Sequence, residues 1–315
     1  MNKKIAFIFP GQGAQYPGMG RDFFEQFSIA KEVFQEADRI LGEPFSKLIF
    51  EGLSDELTLT KNSQLAIFIT SYAILRVVQE NFPEMKPTIC AGLSLGEYTA
   101  LVAAGVLSFE EALLLVKARG SHMQEACQTH PGTMSVVLGL ELDQVKAVVD
   151  AIEGVWIANL NCPGQIVISG TEEGVAEAAL QLKEQGARRV MPLEVSGAFH
   201  SGLMQSAQDQ LEPLIQKAVL LGSEAEVVMN VPGAPVLETD AMRENMIAQV
   251  TEPVLWQKGI ESMLEKGIDL FIEMGPGKTL AGMNKRIKVL VPTYSVENKE
   301  DLTLLKGERD AIAQR

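Results

Sequence analysis

The chain has 315 residues and is short of cysteine, histidine and positive charge, and each shortage closes off a class of function. Its three cysteines, Cys90, Cys127 and Cys162, lie far apart and form no CxxC pair. That spacing supplies neither a disulfide framework nor a cysteine zinc site, and it fits a reducing cytoplasm. There is no HExxH and no close set of His, Asp and Glu, so no metal is expected. With 27 Lys and Arg against 41 Asp and Glu, the formal net charge is -14. Such an acidic chain is a poor match for polyanions, so neither nucleic acid nor an anionic membrane is an expected partner. No apolar run approaches the ~20 residues that span a bilayer; the nearest is ALVAAGVL at 100–107. The opening MNKKIAFIFPGQG breaks at Pro10 and Gly11 without a small-residue cleavage pattern, and it reads as a first strand, not a leader.

Two phosphate-binding patterns are incomplete. The loop after the first strand fails G-x-G-x-x-G because Tyr16 takes the last glycine position. GPGKT at 275–279 resembles the tail of a P-loop, but Ile272 stands where its first glycine belongs. It reads as a turn before the helix TLAGMNKRI. Dinucleotide and ATP therefore drop out, and no cofactor is expected.

What is present is a chain with 46% hydrophobic and 22% charged residues, the balance of a globular protein with a sizeable core. Short β-rich runs alternate with segments of helical period, which predicts an α/β fold with a mainly parallel sheet. IAFIF, TICAG, EVVMNV and LFIEMG read as strands, and 21–41, 62–81 and GEYTALVAAG as helices, the last ending near Gly105. In SFEEALLLVKARGSHMQEA, Ser108 and Glu111 have capping-box spacing, and Arg119 and Met123 fall one turn apart on the helix. Between about 130 and 193 the texture changes. GTMSVVLGL, VWIANLN, GQIVISG and ARRVMPLEV read as strands with helices near 141–153 and 171–186, a β-α-β-β-α-β order compatible with a ferredoxin-like unit. The expected division is 1–128 and 195–315 as a large catalytic unit, with 129–194 inserted. SGLMQSAQDQLEPLIQKAV and the stretch after the proline of TEPVLWQKGIESMLEKG read as helices, and the polar tail after about 297 reads as frayed or peripheral.

Gly92, Ser94 and Gly96 make G-x-S-x-G between a buried strand and a helix, the setting of a nucleophile elbow. The local pattern is equally that of a tight turn with an incidental serine. A serine nucleophile needs a base, and three histidines are available. His122 shares the helical segment of Arg119, and His130 sits in a turn beside a proline. His200, in VSGAFHSGLM, lies where a strand and glycine turn pass into a helix, a place that can face a cleft. An oxyanion hole also needs amides. Leu95, after the serine, is placed to donate one, and Gln12 in PGQGAQ is the best candidate for the second.

Together FPGQGAQYPGMG, GLSLGEYTALVAAG, KARGSHMQEA, NLNCPGQIVISG, VSGAFHSGLM and FIEMGPGKTL resemble, in order and over nearly the whole chain, the malonyl-CoA:acyl carrier protein transacylases of bacterial type II fatty acid synthesis. The resemblance implies an α/β-hydrolase-like core with an inserted ferredoxin-like subdomain. It implies Ser94 as the acylated serine, His200 as its base, and Gln12 and Leu95 as oxyanion donors. Arg119 matches the arginine that holds the malonyl carboxylate, and the carbonyl of Gln249 matches the group that orients the histidine. Asn161 and Met123 are candidate pocket residues, and Phe199 resembles malonyl-selective members. Leu93 departs from the pattern, since many members have histidine there.

The implied reaction is ping-pong: malonyl-CoA acylates Ser94, and the phosphopantetheine thiol of acyl carrier protein removes the malonyl group. A monomer in the cytoplasm is expected. A serine hydrolase and a non-catalytic carrier-binding protein are the rival readings; Arg119 and the absence of a lipase-type HGGG run weigh against the first. Carrier proteins of this pathway are typically acidic, so docking on an acidic chain calls for a local basic face. Arg188 with Arg189, or Lys285, Arg286 and Lys288, are the candidates, with solvated surface charge as the plain alternative.

Overall fold

The computed structural model describes residues 3–223 and 225–313. The apolar runs near the N-terminus become β1 (Ile5–Phe9) and β2 (Ile89–Gly92), with every residue buried. The small unit contributes β3 (Thr133–Leu138), β4 (Val155–Cys162), β5 (Gln165–Gly170) and β6 (Arg189–Pro192). After it come β7 (Glu226–Met229), β8 (Ala234–Val236), β9 (Leu270–Met274) and β10 (Thr293–Val296).

The main sheet has the order β10-β9-β1-β2-β7-β8 and is parallel except for β8, which runs antiparallel to β7. Its central strands are buried on both faces, which is why they read as continuous apolar runs. Alternate residues of β1 serve opposite faces. Ile5, Phe7 and Phe9 enter the larger core with the helix Thr60–Asn81, while Ala6 and Ile8 meet Trp256, Ile260 and Leu280 on the other side. In the helix Thr60–Asn81 every residue from Ser63 to Ser71 is buried, so it runs through the core as an interior helix. From β1 the chain builds outward as β2 and β7 on one side and as β9 and β10 on the other. That reversal opens a crevice at the carboxyl ends of the strands, where α/β sheets place their sites.

The small sheet is antiparallel with the order β4-β5-β3-β6, and the helices Leu142–Val149 and Glu172–Glu184 cover it around a separate core including Val145, Ile168 and Leu182. This is the expected ferredoxin-like unit on an α/β-hydrolase-like core. It is stitched to the large unit at Val254, whose N–H donates to Ala158 O at 2.8 Å and whose carbonyl accepts from Leu160 N at 2.9 Å.

Several local expectations need correction. The segment 21–41 forms two helices, Arg21–Gln26 and Ser28–Leu41, because Phe27 between them is extended. Ser108 caps the helix Phe109–Thr129 by accepting from Glu111 N at 3.1 Å, but the Glu111 carboxylate accepts from Val219 N, so it ties the helix start to a distant loop. The polar tail is not frayed through its described length. It forms the helix Leu302–Ala313, which buries Leu302 and Leu305, while Glu308 pairs with Lys3. Among the described residues no helix is long and apolar enough to cross a membrane.

Candidate active site

The turn between β2 and the helix Gly96–Ala103 is built by close backbone approach. A Cβ on Gly92 would lie 1.9 Å from the Gly96 carbonyl group, and one on Gly96 would lie 2.2 Å from Phe9 O. Only glycine fits either place. Between them Ser94 has φ 50°, a left-handed conformation that costs a non-glycine residue roughly 1–2 kcal/mol. Two side-chain amides hold it there: Ser94 N donates to Asn230 Oδ1 at 2.7 Å, and Ser94 O accepts from Gln249 Nε2 at 2.9 Å.

His200 also has positive φ, at 56°, and it brings Nε2 to 2.9 Å from Ser94 Oγ. Its Nδ1 lies 2.8 Å from the Gln249 carbonyl. A carbonyl only accepts, so Nδ1 carries the proton and Nε2 is left as the acceptor facing the serine. Burial, reinforced by the nearby Arg119 charge, pushes the imidazole down to about 4, which keeps it neutral with the Nε2 lone pair free. His122 is half-buried and His130 exposed, and neither lines the cavity above Ser94.

Arg119 is buried on the helix Phe109–Thr129. Its Nη1 donates to Gln64 Oε1 at 2.6 Å, and its Nη2 donates to Ser94 Oγ and to Gln249 Oε1, both at 3.0 Å. Its Nε has no hydrogen-bond partner among the described residues, and the guanidinium lies 5.8 Å from the centroid of the Tyr98 ring. Among the described residues no carboxylate stands within ion-pair distance of it. Burial lowers its basicity, and its neighbours Tyr98 and Glu97 oppose that fall. A buried guanidinium held only by neutral acceptors is a ready receptor for a small carboxylate.

A cavity of about 610 Å³ opens above Ser94 and His200, walled by both units, with Arg119 and Gln249 buried behind its lining. Gln12, Met123, Asn161 and Phe199 line it with Ser94 and His200. So does the chain at 193–196, which leads from β6 toward His200. Asn161 Oδ1 is buried without a hydrogen-bond partner among the described residues. Leu93 lines the cavity too, and it packs against the core that holds Trp256 and Leu280, so the residue before the serine serves here as an apolar wall. Leu95 is fully buried at the helix start. The Gly96, Glu97 and Tyr98 amides that follow are engaged, whereas the N–H groups of Leu95 and Gln12 have no partner among the described residues. GPGKT is the turn expected, with Gly277 N donating to Glu297 Oε1 at 2.9 Å.

Three residues of the site were not anticipated from the sequence. Gln64 holds Arg119, Asn230 holds the Ser94 amide, and Glu97 accepts from both Asn230 N, at 2.6 Å, and Gln249 Nε2, at 3.0 Å. The one visible signal was Glu97, a carboxylate inside an otherwise apolar helical stretch.

A family model described as acyl transferase domain matches residues 6–305. The malonyl CoA-acyl carrier protein transacylase of Bacillus subtilis (strain 168) is 44% identical over 315 residues, covering 98% of this chain and 99% of that protein. The crystal structure of MCAT from Streptococcus pneumoniae aligns with a TM-score of 0.92 at 40% identity, over 97% of this chain and 100% of that one. A malonyl-transacylase solved in complex with its holo type II polyketide acyl-carrier protein aligns with a TM-score of 0.93 at 36% identity, over 96% of this chain and 99% of that one. The chain is an acyltransferase and belongs to the malonyl-CoA:acyl carrier protein transacylase family.

Proposed function

We propose that this enzyme moves the malonyl group from malonyl-CoA to the phosphopantetheine thiol of acyl carrier protein through a malonyl ester on Ser94, supplying the extender unit for fatty acid synthesis. The observation that carries this reading is the position of Ser94 Oγ, 2.9 Å from His200 Nε2 and 3.0 Å from the Nη2 of a buried Arg119 that has no carboxylate within ion-pair distance among the described residues. A base and a carboxylate receptor meet at one hydroxyl, which suits an acyl group bearing a second, free carboxylate.

In the first half-reaction Arg119 binds the malonyl carboxylate and His200 Nε2 takes the Ser94 proton as Oγ attacks the thioester carbonyl. The amides of Leu95 and Gln12 receive the oxyanion; removing one such donor costs about 3–4 kcal/mol in a known case. His200 then returns the proton to the departing CoA sulfur. In the second, it takes the proton of the carrier thiol, the sulfur attacks the malonyl-serine carbonyl, and Ser94 leaves reprotonated. The Gln249 carbonyl keeps the imidazole tautomer correct through both steps. The small unit, taken as 129–194, contributes the second wall of the cavity through Asn161, and Met123 and Phe199 of the large unit complete the surroundings of the acyl and pantetheine groups. The residues supply a complete reaction without metal or bound cofactor, and we read the enzyme as a cytoplasmic monomer.

Incubation with malonyl-CoA and holo carrier protein tests the reading. Rapid appearance of malonyl-carrier, with a malonyl adduct that disappears in Ser94→Ala, is expected. Free malonate as the main product would replace transfer by hydrolysis.

A further inference from the structure

Glu97 is a fully buried carboxylate with no cation within ion-pair distance among the described residues. Burial pushes its carboxyl up to about 8, but the hydrogen bonds from Asn230 and Gln249 and the charge of Arg119 all pull it down, and with an N–H donor on each oxygen the geometry is that of the ionised form. Such a group is costly in a core unless its oxygens are met by donors. Both are met: Oε2 accepts from Asn230 N at 2.6 Å, and Oε1 accepts from Gln249 Nε2 at 3.0 Å.

Those two partners are the same residues that grip Ser94. Asn230 Oδ1 accepts from Ser94 N at 2.7 Å, and Asn230 Nδ2 ties the turn to Gly92 O at 2.7 Å. Gln249 Nε2 spends its second proton on Ser94 O at 2.9 Å, and its Oε1 accepts from Arg119 at 3.0 Å. Turning the Gln249 amide over would set its oxygen against two acceptors, Glu97 Oε1 and Ser94 O, and its NH2 against the Arg119 donor. The orientation of Gln249 is thus fixed by what surrounds it, and Glu97 is the one side chain in the set whose two oxygens can both accept. The same Gln249 carries the carbonyl under His200.

We propose that Glu97 is a positioning residue: as a double acceptor beneath the site it sets the polarity of the Gln249 and Asn230 network and so holds the Ser94 turn, Arg119 and the carbonyl under His200 in one geometry. This rests on the acyl-serine reading above. It distinguishes Glu97 from a carboxylate that merely fills space, because an amide of the same size cannot replace it. In Glu97→Gln one NH2 must face either Asn230 N–H or Gln249 Nε2, leaving a buried donor unmet.

The test is single-turnover acylation of the full chain by malonyl-CoA, followed by intact mass, in wild type, Glu97→Gln, Gln249→Ala and the double variant. Glu97→Gln is expected to slow the acylation step about 10- to 100-fold, the size of one unmet buried donor, with half-saturation by malonyl-CoA little changed. If Glu97 acts through Gln249, the double variant loses no more than the larger single loss, since effects carried by one network do not add. Where Glu97→Gln does not fold, Glu97→Asp keeps both acceptors but withdraws them by one methylene, and the same rate loss and the same non-additivity with Gln249→Ala are expected. Wild-type acylation rates in whichever variant folds, or losses that multiply in the double variant, overturn the positioning role alone. Absence of any adduct on the wild-type chain removes the acyl-serine reading, and the role of Glu97 with it.

Discussion

Arg119 Nη2 donates to Ser94 Oγ at 3.0 Å, so the guanidinium that faces the proposed acyl carboxylate also touches the proposed nucleophile. Replacing it with alanine removes a charge partner that malonyl has and acetyl lacks. Arg119→Ala should slow malonyl transfer by roughly two to three orders of magnitude, equivalent to about 3–4 kcal/mol, while sparing or raising acetyl transfer. Parallel kcat/KM measurements with malonyl-CoA and acetyl-CoA check this, and equal losses would remove Arg119 from the carboxylate site.

The depressed basicity of His200 sets a pH limb. An imidazole pushed down to about 4 remains neutral well below the usual histidine range. Ser94 labelling by an uncharged serine-directed reagent should therefore hold steady down to about pH 5 and fall with a midpoint near 4. A midpoint near 6.5 would mean that His200 is better solvated than the structure shows. The same shift acts on stability. The folded state binds fewer protons than the unfolded chain between the two values, so this histidine's stabilisation is complete above about 6.5 and is lost as pH falls through 4. His200→Ala should lower the labelling rate by about 10²- to 10⁴-fold.

The elbow makes a backbone prediction. Gly92→Ala places a methyl 1.9 Å from the Gly96 carbonyl group, and it should destabilise the fold by roughly 1–3 kcal/mol and abolish Ser94 acylation. Gly282, on the exposed side of the helix Thr279–Ile287, has nothing within 4 Å of an added Cβ. Gly282→Ala should stabilise by about 0.5–1 kcal/mol, as alanine does in a helix interior. Thermal melts and acylation assays of both variants measure the contrast.

Two of the basic residues considered for carrier docking, Arg286 and Arg189, are linked through the small sheet. Arg286 donates to Gln165 at the start of β5, Gln165 pairs with Leu138, and Leu138 pairs with Arg189. Reversing Lys285 and Lys288 to glutamate should raise the KM for carrier protein about tenfold, the effect of ~1.4 kcal/mol of lost attraction, without changing acylation by malonyl-CoA. Equal effects on both half-reactions would count against a docking role.

Much of this architecture was legible because buried strands announce themselves. β1 and β2 are unbroken apolar runs, and the change of texture near 130 marked the inserted sheet. β8 is three residues long and gave no signal, and the helix Leu302–Ala313 was not read because its buried Leu302 and Leu305 are mixed with the exposed Leu304 in a largely polar stretch. The pair of short helices Phe45–Glu51 and Ser54–Thr58 was missed for similar reasons. At the site, elimination among three histidines favoured His200 only modestly, and the six ordered motifs were what joined it to Ser94. The Glu97 contact with Asn230 spans 133 positions and the Arg119 contact with Gln64 spans 55, and no local period encodes either.

The segment leading from β6 to His200 walls the cavity at 193–196 and then passes Gly197, where an added Cβ would stand 2.3 Å from Cys127 Sγ. The His200 imidazole, the proposed base, therefore hangs at the end of a short strap anchored at one end in the small sheet and clamped midway against a helix of the large unit. Its reach to Ser94 is a property of how the two units are seated, so the small sheet serves as the mounting of the imidazole as much as a wall of the cavity.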